Sequence, residues 1–420
     1  MRVLIVNKFL YPNGGSETYI FKLGQELERQ GHRVEYFGME HEGRIVGNRA
    51  DSYTQPMDFH GSGAAALTYP FRIIYSREAR EKMRPVLEEL QPDVVHLNNI
   101  NFQLTPSVID EARDFERKHP DLYAYAGRSL KIFCTAHDAQ WVCPNHELRV
   151  PSTGELCMRC IDGSFDGCIR NRCIHGSKLR SLLGAREAAF YEKRGTYAEV
   201  DRVICPSAFL EGVLQHNRHL KGRTIAMHNF MDIPEAQGEQ TKTPDRAAGG
   251  QGYVLYFGRY APEKGIATLM KAAGALPEIP FVFAGSGPLR DLIRGGNVTE
   301  KGFLTGGALQ EVIRGARFVV YPSEWYENCP FSVMEAQGYG VPVLASDIGG
   351  TPELICRTPG QETGELFREG DAEDLTARIR ELYGDAARTD RMSANCAAWT
   401  AGHFDTLETY VRKLTRLYAM

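Results

Sequence analysis

The sequence predicts an α/β protein made of two doubly wound, parallel-sheet domains. Three observations carry that expectation. Short β-branched runs alternate with amphipathic segments along the chain, the pattern of strands buried between covering helices. The alternation runs twice, separated by a stretch rich in Gly, Gln, Lys, Thr and Pro at Pro234–Gly252 that reads as a solvated linker. A chain of 420 residues is long for one core and comfortable for two.

In the first half the candidate strands are Val3–Val6, Val34–Phe37, Val94–Leu97, Ile132–Thr135, Val203–Cys205 and Thr224–His228. In the second they are Tyr253–Phe257, Phe281–Ala284, Phe318–Tyr321, Val343–Ser346 and Glu365–Phe367. The expected domains are therefore 1–228 and 229–395. In the tail 396–420, Phe404, Leu407, Tyr410, Val411, Leu414 and Leu417 fall at helical spacing. Two such domains would face each other across a cleft, and sheets of this kind bind ligands at their strand ends.

Composition narrows the function. The 43% hydrophobic and 24% charged content is that of a globular protein. No apolar run reaches the ~20 residues that span a bilayer. The chain enters a strand at once after Met1, so no signal peptide is expected and the expected location is cytoplasmic. A formal net charge of −4 argues against nucleic acid as the main partner. The charge is uneven, with 30 Lys+Arg against 28 Asp+Glu in residues 1–228 and 19 against 25 in the remainder.

Several motifs sit at strand ends. Tyr11-Pro-Asn-Gly-Gly-Ser-Glu17 lies between the first strand and an amphipathic segment, and a glycine pair there lets backbone N–H groups approach an anion. Gly258-Arg-Tyr-Ala-Pro-Glu-Lys-Gly265 places two cations, Arg259 and Lys264, after the first strand of the second domain. A guanidinium fork and a compact ammonium suit a diphosphate on which charge develops. Phe283-Ala-Gly-Ser-Gly-Pro-Leu289 ends a strand in Gly285 and Gly287 but lacks the third glycine of a dinucleotide fingerprint. Cys134-Thr-Ala-His-Asp138 sets His137 at the end of a buried strand. Glu327-Asn-Cys-Pro-Phe-Ser-Val-Met-Glu335 spaces two carboxylates by eight residues, with Pro330 suited to open a helix whose N-terminus would face an anion.

Taken in this order, the motifs resemble those of retaining family-4 glycosyltransferases of the GT-B fold. The likeness runs from the glycine loop to the final helix. It implies transfer of a sugar from a nucleotide-sugar donor, a UDP- or GDP-sugar first, to the hydroxyl of an acceptor glycan, glycolipid or small molecule, with no catalytic metal. By the same resemblance Glu327 contacts the donor sugar, and Arg259 and Lys264 hold the diphosphate. Glu335 holds the ribose, and Gly14, Gly15, Gly285 and Gly287 line the donor. Phe303 and Leu304 lie in the segment Lys301-Gly-Phe-Leu304, whose backbone meets the base, and His137 faces the donor sugar. The donor would sit mainly on the second domain and the acceptor on the first, and the final helix would cross back to the first. Where the family often has Glu-x-Phe-Gly, this chain has Cys329 and Ser332. The alternatives on one architecture are a nucleotide-sugar epimerase, a phosphorylase, or a catalytically silent nucleotide-sugar-binding zinc protein.

Five of the ten cysteines fall in the insertion 143–175. Cys157-Met-Arg-Cys160 has the spacing of a metal knuckle and suits tetrahedral Zn²⁺, with an iron–sulfur cluster or simple reduced thiols as the other readings. A subset of the resembled family carries a similar insertion, and by that match the ligands are Cys143, Cys157, Cys160 and Cys173. Cys168 would be spare, with His146 and His175 in reserve. Finally, Tyr69–Arg84 and Lys178–Arg194 mix basic and apolar residues, so peripheral contact with the inner face of a membrane is a further expectation.

Overall fold

The computed structural model describes residues 1–56, 73–231 and 252–420. The expected linker Pro234–Gly252, apart from Gly252, and residues Tyr69–Arg72 of the first basic-apolar segment lie outside them. The chain divides into two units, Met1–Met227 with Leu407–Met420, and His228–Thr406.

Unit 1 runs β1 (Arg2–Val6), α1 (Gly15–Arg29), β2 (Arg33–Phe37), α2 (Arg77–Leu90), β3 (Val94–Leu97), α3 (Ser107–Lys118), β4 (Lys131–Thr135), α4 (Asp166–Arg170), α5 (Lys178–Arg194), β5 (Arg202–Cys205), α6 (Ala208–Leu214) and β6 (Thr224–Ala226). Its six strands are parallel in the order β2-β1-β3-β4-β5-β6. Residues such as Val3, Ile5, Val95 and Ile132 are fully buried because helices cover both faces. Helix starts follow side-chain chemistry: Ser76, Ser177 and Ser207 each accept a hydrogen bond from a first-turn N–H, a cap whose removal costs about 1 kcal/mol.

Unit 2 repeats the plan with β7 (Tyr253–Arg259), α7 (Ile266–Gly274), β8 (Phe281–Ser286), β9 (Val298–Glu300), α8 (Gly306–Gly315), β10 (Ala316–Tyr321), α9 (Phe331–Gly338), β11 (Val343–Ser346), β12 (Gly364–Phe367), α10 (Ala372–Gly384) and α11 (Ala386–His403). The parallel order is β12-β11-β10-β7-β8-β9. Apolar clusters fill both faces, one centred on Phe281, Phe283 and Phe318 and the other on Val319, Val333 and Val343. The strand β9 was not among those read from the sequence.

In each sheet the chain leaves its first strand in one direction and returns on the other side. The reversal falls between β1 and β3 in unit 1 and between β7 and β10 in unit 2. Loops part at such a point and leave a crevice at the carboxyl ends of the strands.

The tail does not form one helix. α11 ends at His403, Phe404 enters the unit 2 core, and a separate α12 (Leu407–Tyr418) packs on α1 in unit 1. A buried polar chain fixes it there. Tyr410 Oη lies 2.9 Å from Tyr19 Oη, which lies 3.0 Å from Thr135 Oγ1. Tyr418 Oη meets His96 Nδ1, whose other nitrogen is 2.8 Å from the same Thr135 oxygen. Buried polar groups need such partners, and the last helix thereby supports β4, which ends two residues before His137.

Candidate active site

At the unit 2 reversal, two loops are tied together by their backbones. Glu324 N–H donates to Glu263 C=O at 2.9 Å, and Ser323 Oγ lies 3.3 Å from the same carbonyl oxygen. Lys264 ends a short 3-10 turn because Gly265, at φ +68°, must take a left-handed conformation against Pro322; a Cβ there would stand 1.8 Å from the Pro322 carbonyl oxygen. The turn aims Lys264 Nζ at Glu327 Oε1, 2.5 Å away. Ser323 Oγ donates to the same oxygen at 2.8 Å, and Gly350 N–H donates to the Glu327 carbonyl at 2.7 Å. The Lys264 ammonium also lies 5.1 Å from the Trp325 ring centroid.

Burial alone would raise the Glu327 carboxyl. The Lys264 ammonium and hydrogen bonds from Lys264, Ser323 and Tyr321 outweigh it and hold the group below its ordinary value. The site therefore stores an ionised carboxylate in a dry place. Arg259 differs. It is 62% exposed on its side chain and bound to Glu263 at 2.5 Å, so its charge is in contact with solvent.

The other expected unit 2 residues lie on neighbouring elements of the same unit. Glu335 is half-buried on α9. Gly285 and Gly287 form a turn pressed onto the backbones of Gly258 and Tyr260; at Gly287, with φ +151°, a Cβ would stand 2.4 Å from the Tyr260 carbonyl oxygen. These two glycines have a packing reason independent of any ligand. Phe303 is 73% exposed, whereas Leu304 packs on the core.

In unit 1, Gly14 caps α1 and Gly15 opens it. A Cβ on Gly15 would meet nothing within 4 Å, so the protein itself does not require glycine there. His137 Nε2 is 2.9 Å from Asn98 Oδ1, and a ring nitrogen beside an amide oxygen must donate. Burial, opposed by Asp138, pulls the imidazole down to about 4, so it is neutral at neutral pH.

The structure adds Lys8, Asn101 and Phe102, which the sequence reading did not single out, and gives His146 partners other than a metal. Lys8 Nζ is 3.4 Å from Asn101 Oδ1. Burial lowers its pKa against the raising effect of Asp138 and Glu17. His146 Nδ1 is 3.4 Å from Asp138 Oδ2, and its ring meets Asn101 and Phe102. Phe102, Thr105, His146 and Leu148 all take positive φ, between 51° and 69°. Each such non-glycine residue costs on the order of 1 kcal/mol, and strain of this kind gathers at working sites.

The cysteine expectation is corrected. Among the described residues no group of three or more His, Cys, Asp or Glu side chains is arranged to hold a metal ion. Cys143 donates to Asn145 Oδ1 at 2.8 Å, and burial pushes its thiol up to about 12. Cys157 is half-buried, while Cys160, Cys168 and Cys173 pack with Phe165, Ala185 and Ala188 as small apolar groups. Cys168, expected to be spare, is the partner of Cys173. Its thiol donates to Cys173, and this hydrogen bond holds Cys173 down and Cys168 up. His146, expected in reserve, is turned to Asp138.

Two parallel six-stranded sheets with these reversals define a GT-B glycosyltransferase architecture. Sucrose-phosphate synthase from Thermosynechococcus elongatus superposes with a TM-score of 0.66 at 17% identity, over 99% of this chain and 98% of that one. Anabaena HepE, solved with UDP, gives 0.61 at 16% identity over 100% of both chains. In sequence, residues 13–108 match the family described as Glycosyltransferase Family 4, and residues 239–399 match Glycosyl transferases group 1. A GDP-mannose-dependent alpha-mannosyltransferase of Mycolicibacterium smegmatis is 32% identical over 409 residues, 92% of each chain. The sulfoquinovosyl transferase SQD2 of Arabidopsis thaliana is 34% identical over 136 residues, 31% of this chain and 26% of that protein. The chain belongs to the family-4, group-1 glycosyltransferases.

Proposed function

We propose that the protein transfers a sugar, with retention of anomeric configuration, from a nucleoside-diphosphate sugar to an acceptor hydroxyl on a polysaccharide, glycolipid or small glycoside. The observation that carries this reading is the buried Lys264–Glu327 contact, 2.5 Å long, at the unit 2 reversal. As the sugar–phosphate bond breaks, negative charge grows on the leaving diphosphate and positive charge on the anomeric carbon. Lys264 and the exposed cation Arg259 meet the first, and the ionised Glu327 meets the hydroxyls and developing charge of the sugar. These side chains carry the roles without a metal. Glu335 holds the ribose, and the turn of Gly285 and Gly287 with Phe303 and Leu304 meets the nucleotide.

The open space at Gly15 suits backbone approach to the donor. Neutral His137 serves as a hydrogen-bonding group rather than a base, because the departing phosphate can take the acceptor proton. The cluster of Lys8, Asn101, Asp138 and His146, in which His146 takes a positive φ, receives the acceptor.

GDP-mannose is the first donor to test, since the relative aligned over 92% of its length is named for it, and UDP-sugars follow. The test incubates the protein with each donor, with and without pooled acceptors, and quantifies free nucleotide beside the Glu327→Gln and Lys264→Ala variants. Release from one donor, lost in both variants, supports the assignment. Near-normal release in both sinks it.

A further inference from the structure

The cysteine-rich insertion ends in a surface to which the proposed reaction assigns no residue. Residues 170–194 hold seven Lys and Arg against two acids, Glu187 and Glu192, and both acids are withdrawn from the surface. Glu187 is buried, and burial raises its carboxyl to about 8. Glu192 is held by Arg218 at 2.8 Å. Arg194 is spent on Asp110 at 3.0 Å. The remaining six cations, Arg170, Arg172, Lys178, Arg180, Arg186 and Lys193, are all exposed. Among the described residues none of them has an ion-pair partner. They belong to one surface, because the segment around Ile174 is pinned to α5 by its N–H donating to Ser181 Oγ at 3.0 Å.

The same face is partly apolar. α5 buries Ser181, Gly184, Ala185, Ala188 and Tyr191 against unit 1. Its opposite stripe, at helical spacing, carries Leu179, Arg186, Phe190 and Lys193, with Leu179 67% and Phe190 37% exposed. Seventeen residues make this face about 25 Å long.

We propose that this face of α5, with the Arg170–Arg172 turn beside it, docks on an anionic phospholipid surface. Charge complementarity selects an anionic partner, in a chain whose net charge is negative. The exposed leucine and phenylalanine among the cations select a bilayer over a dissolved polyanion, which has nothing apolar to offer them. Near an anionic leaflet each cation strengthens attachment roughly fivefold. The proposal stands apart from the catalytic assignment, because none of these residues is placed in the site.

The test is flotation of the full chain with vesicles of phosphatidylcholine alone and of phosphatidylcholine with phosphatidylglycerol, at low and high salt. Dextran sulfate serves as a dissolved polyanion. The variants are Arg186→Glu with Lys193→Glu, and Leu179→Ser with Phe190→Ser, each checked by thermal melting for an intact fold. The expected result is binding to the anionic vesicles only, weakened by salt, lowered at least about thirtyfold by the charge reversals and also lowered by the serine pair. Equal binding to neutral vesicles, no flotation, unchanged binding in either variant, or capture by dextran sulfate without flotation would each overturn the proposal.

Discussion

At the ends of β7 and β10, a buried carboxylate is kept ionised by a lysine 2.5 Å away. At the ends of β3 and β4, a half-buried imidazole is kept neutral, because Asp138 does not offset its desolvation. The same low-dielectric setting thus produces opposite states, and the difference lies in how closely a counter-charge is held. On the proposed reading, unit 2 meets charge that develops on a ligand. The strand-end histidine of unit 1 then offers a hydrogen bond without a charge.

The sharpest way to break this contrast is to remove one member of the unit 2 pair. Glu327→Gln should cut transfer at least about a thousandfold, the scale of losing a central electrostatic contact, and should lower stability without unfolding the protein, since the Lys264 ammonium loses its counter-charge. Lys264→Ala should cut transfer similarly and also cost about 3 kcal/mol of stability, since it strands a buried carboxylate. Thermal melts with nucleotide-release assays separate the two effects. The Glu327 carboxyl lies below its ordinary value in the folded state. Its contribution is therefore present above that ordinary value and lost as pH falls through the depressed one. The acid limb of the stability profile should be shallower in Glu327→Gln, and an unchanged limb would contradict the ion pair.

Glu187 tests the neutral side of the comparison. Its folded-state value of about 8 lies above the ordinary 4.5, so folding favours the protonated form and stability declines as pH rises from about 4.5 towards 8. Glu187→Gln should therefore stabilise the protein by about 3 kcal/mol near pH 7 and by less than about 1 kcal/mol near pH 5. Denaturant melts at the two pH values measure this directly. A constant difference would show that Glu187 has found a partner charge.

The cysteines sharpen it further. Cys168 is 2% exposed and bonded to Cys173. Cys168→Ser should cost about 1–2 kcal/mol by burying a poorly matched hydroxyl, whereas Cys157→Ser should stay within about 0.5 kcal/mol. A large loss at Cys157 in chemical melts would show that it has a partner absent from this arrangement.

The strands were legible because they are buried on both faces and read as Val- and Ile-rich runs. β9 was not, being three residues at a sheet edge, Val298–Glu300, with none fully buried. Lys264 and Glu327 are 63 residues apart, and only the β7–β10 reversal brings them together, so their pairing had no local signal. Lys8, Asn101 and Asp138 did leave one. Polar residues crowd immediately after buried strands, and that deserved weight because reversals place ligands at those ends. Spacing misled for the cysteines, since it records which residues are close in sequence and not where each thiol points.

The smallest expected stability effect separates ligand from scaffold. Gly15 opens α1, has no left-handed φ, and has space for a Cβ. Gly15→Ala should therefore leave stability unchanged or raise it by up to about 0.5 kcal/mol, since alanine loses less backbone freedom in a helix. At the same time it should weaken donor binding or turnover, because the added methyl occupies the space that the donor's approach requires. The corresponding change at Gly287 should behave in the opposite way and destabilise the fold outright, as the Tyr260 backbone already fills that space. Calorimetric titration with the identified donor, run beside thermal melts of both variants, reads the two effects separately. A Gly15→Ala protein with unchanged donor affinity and unchanged turnover would remove the glycine loop from the site while leaving Lys264 and Glu327 in it.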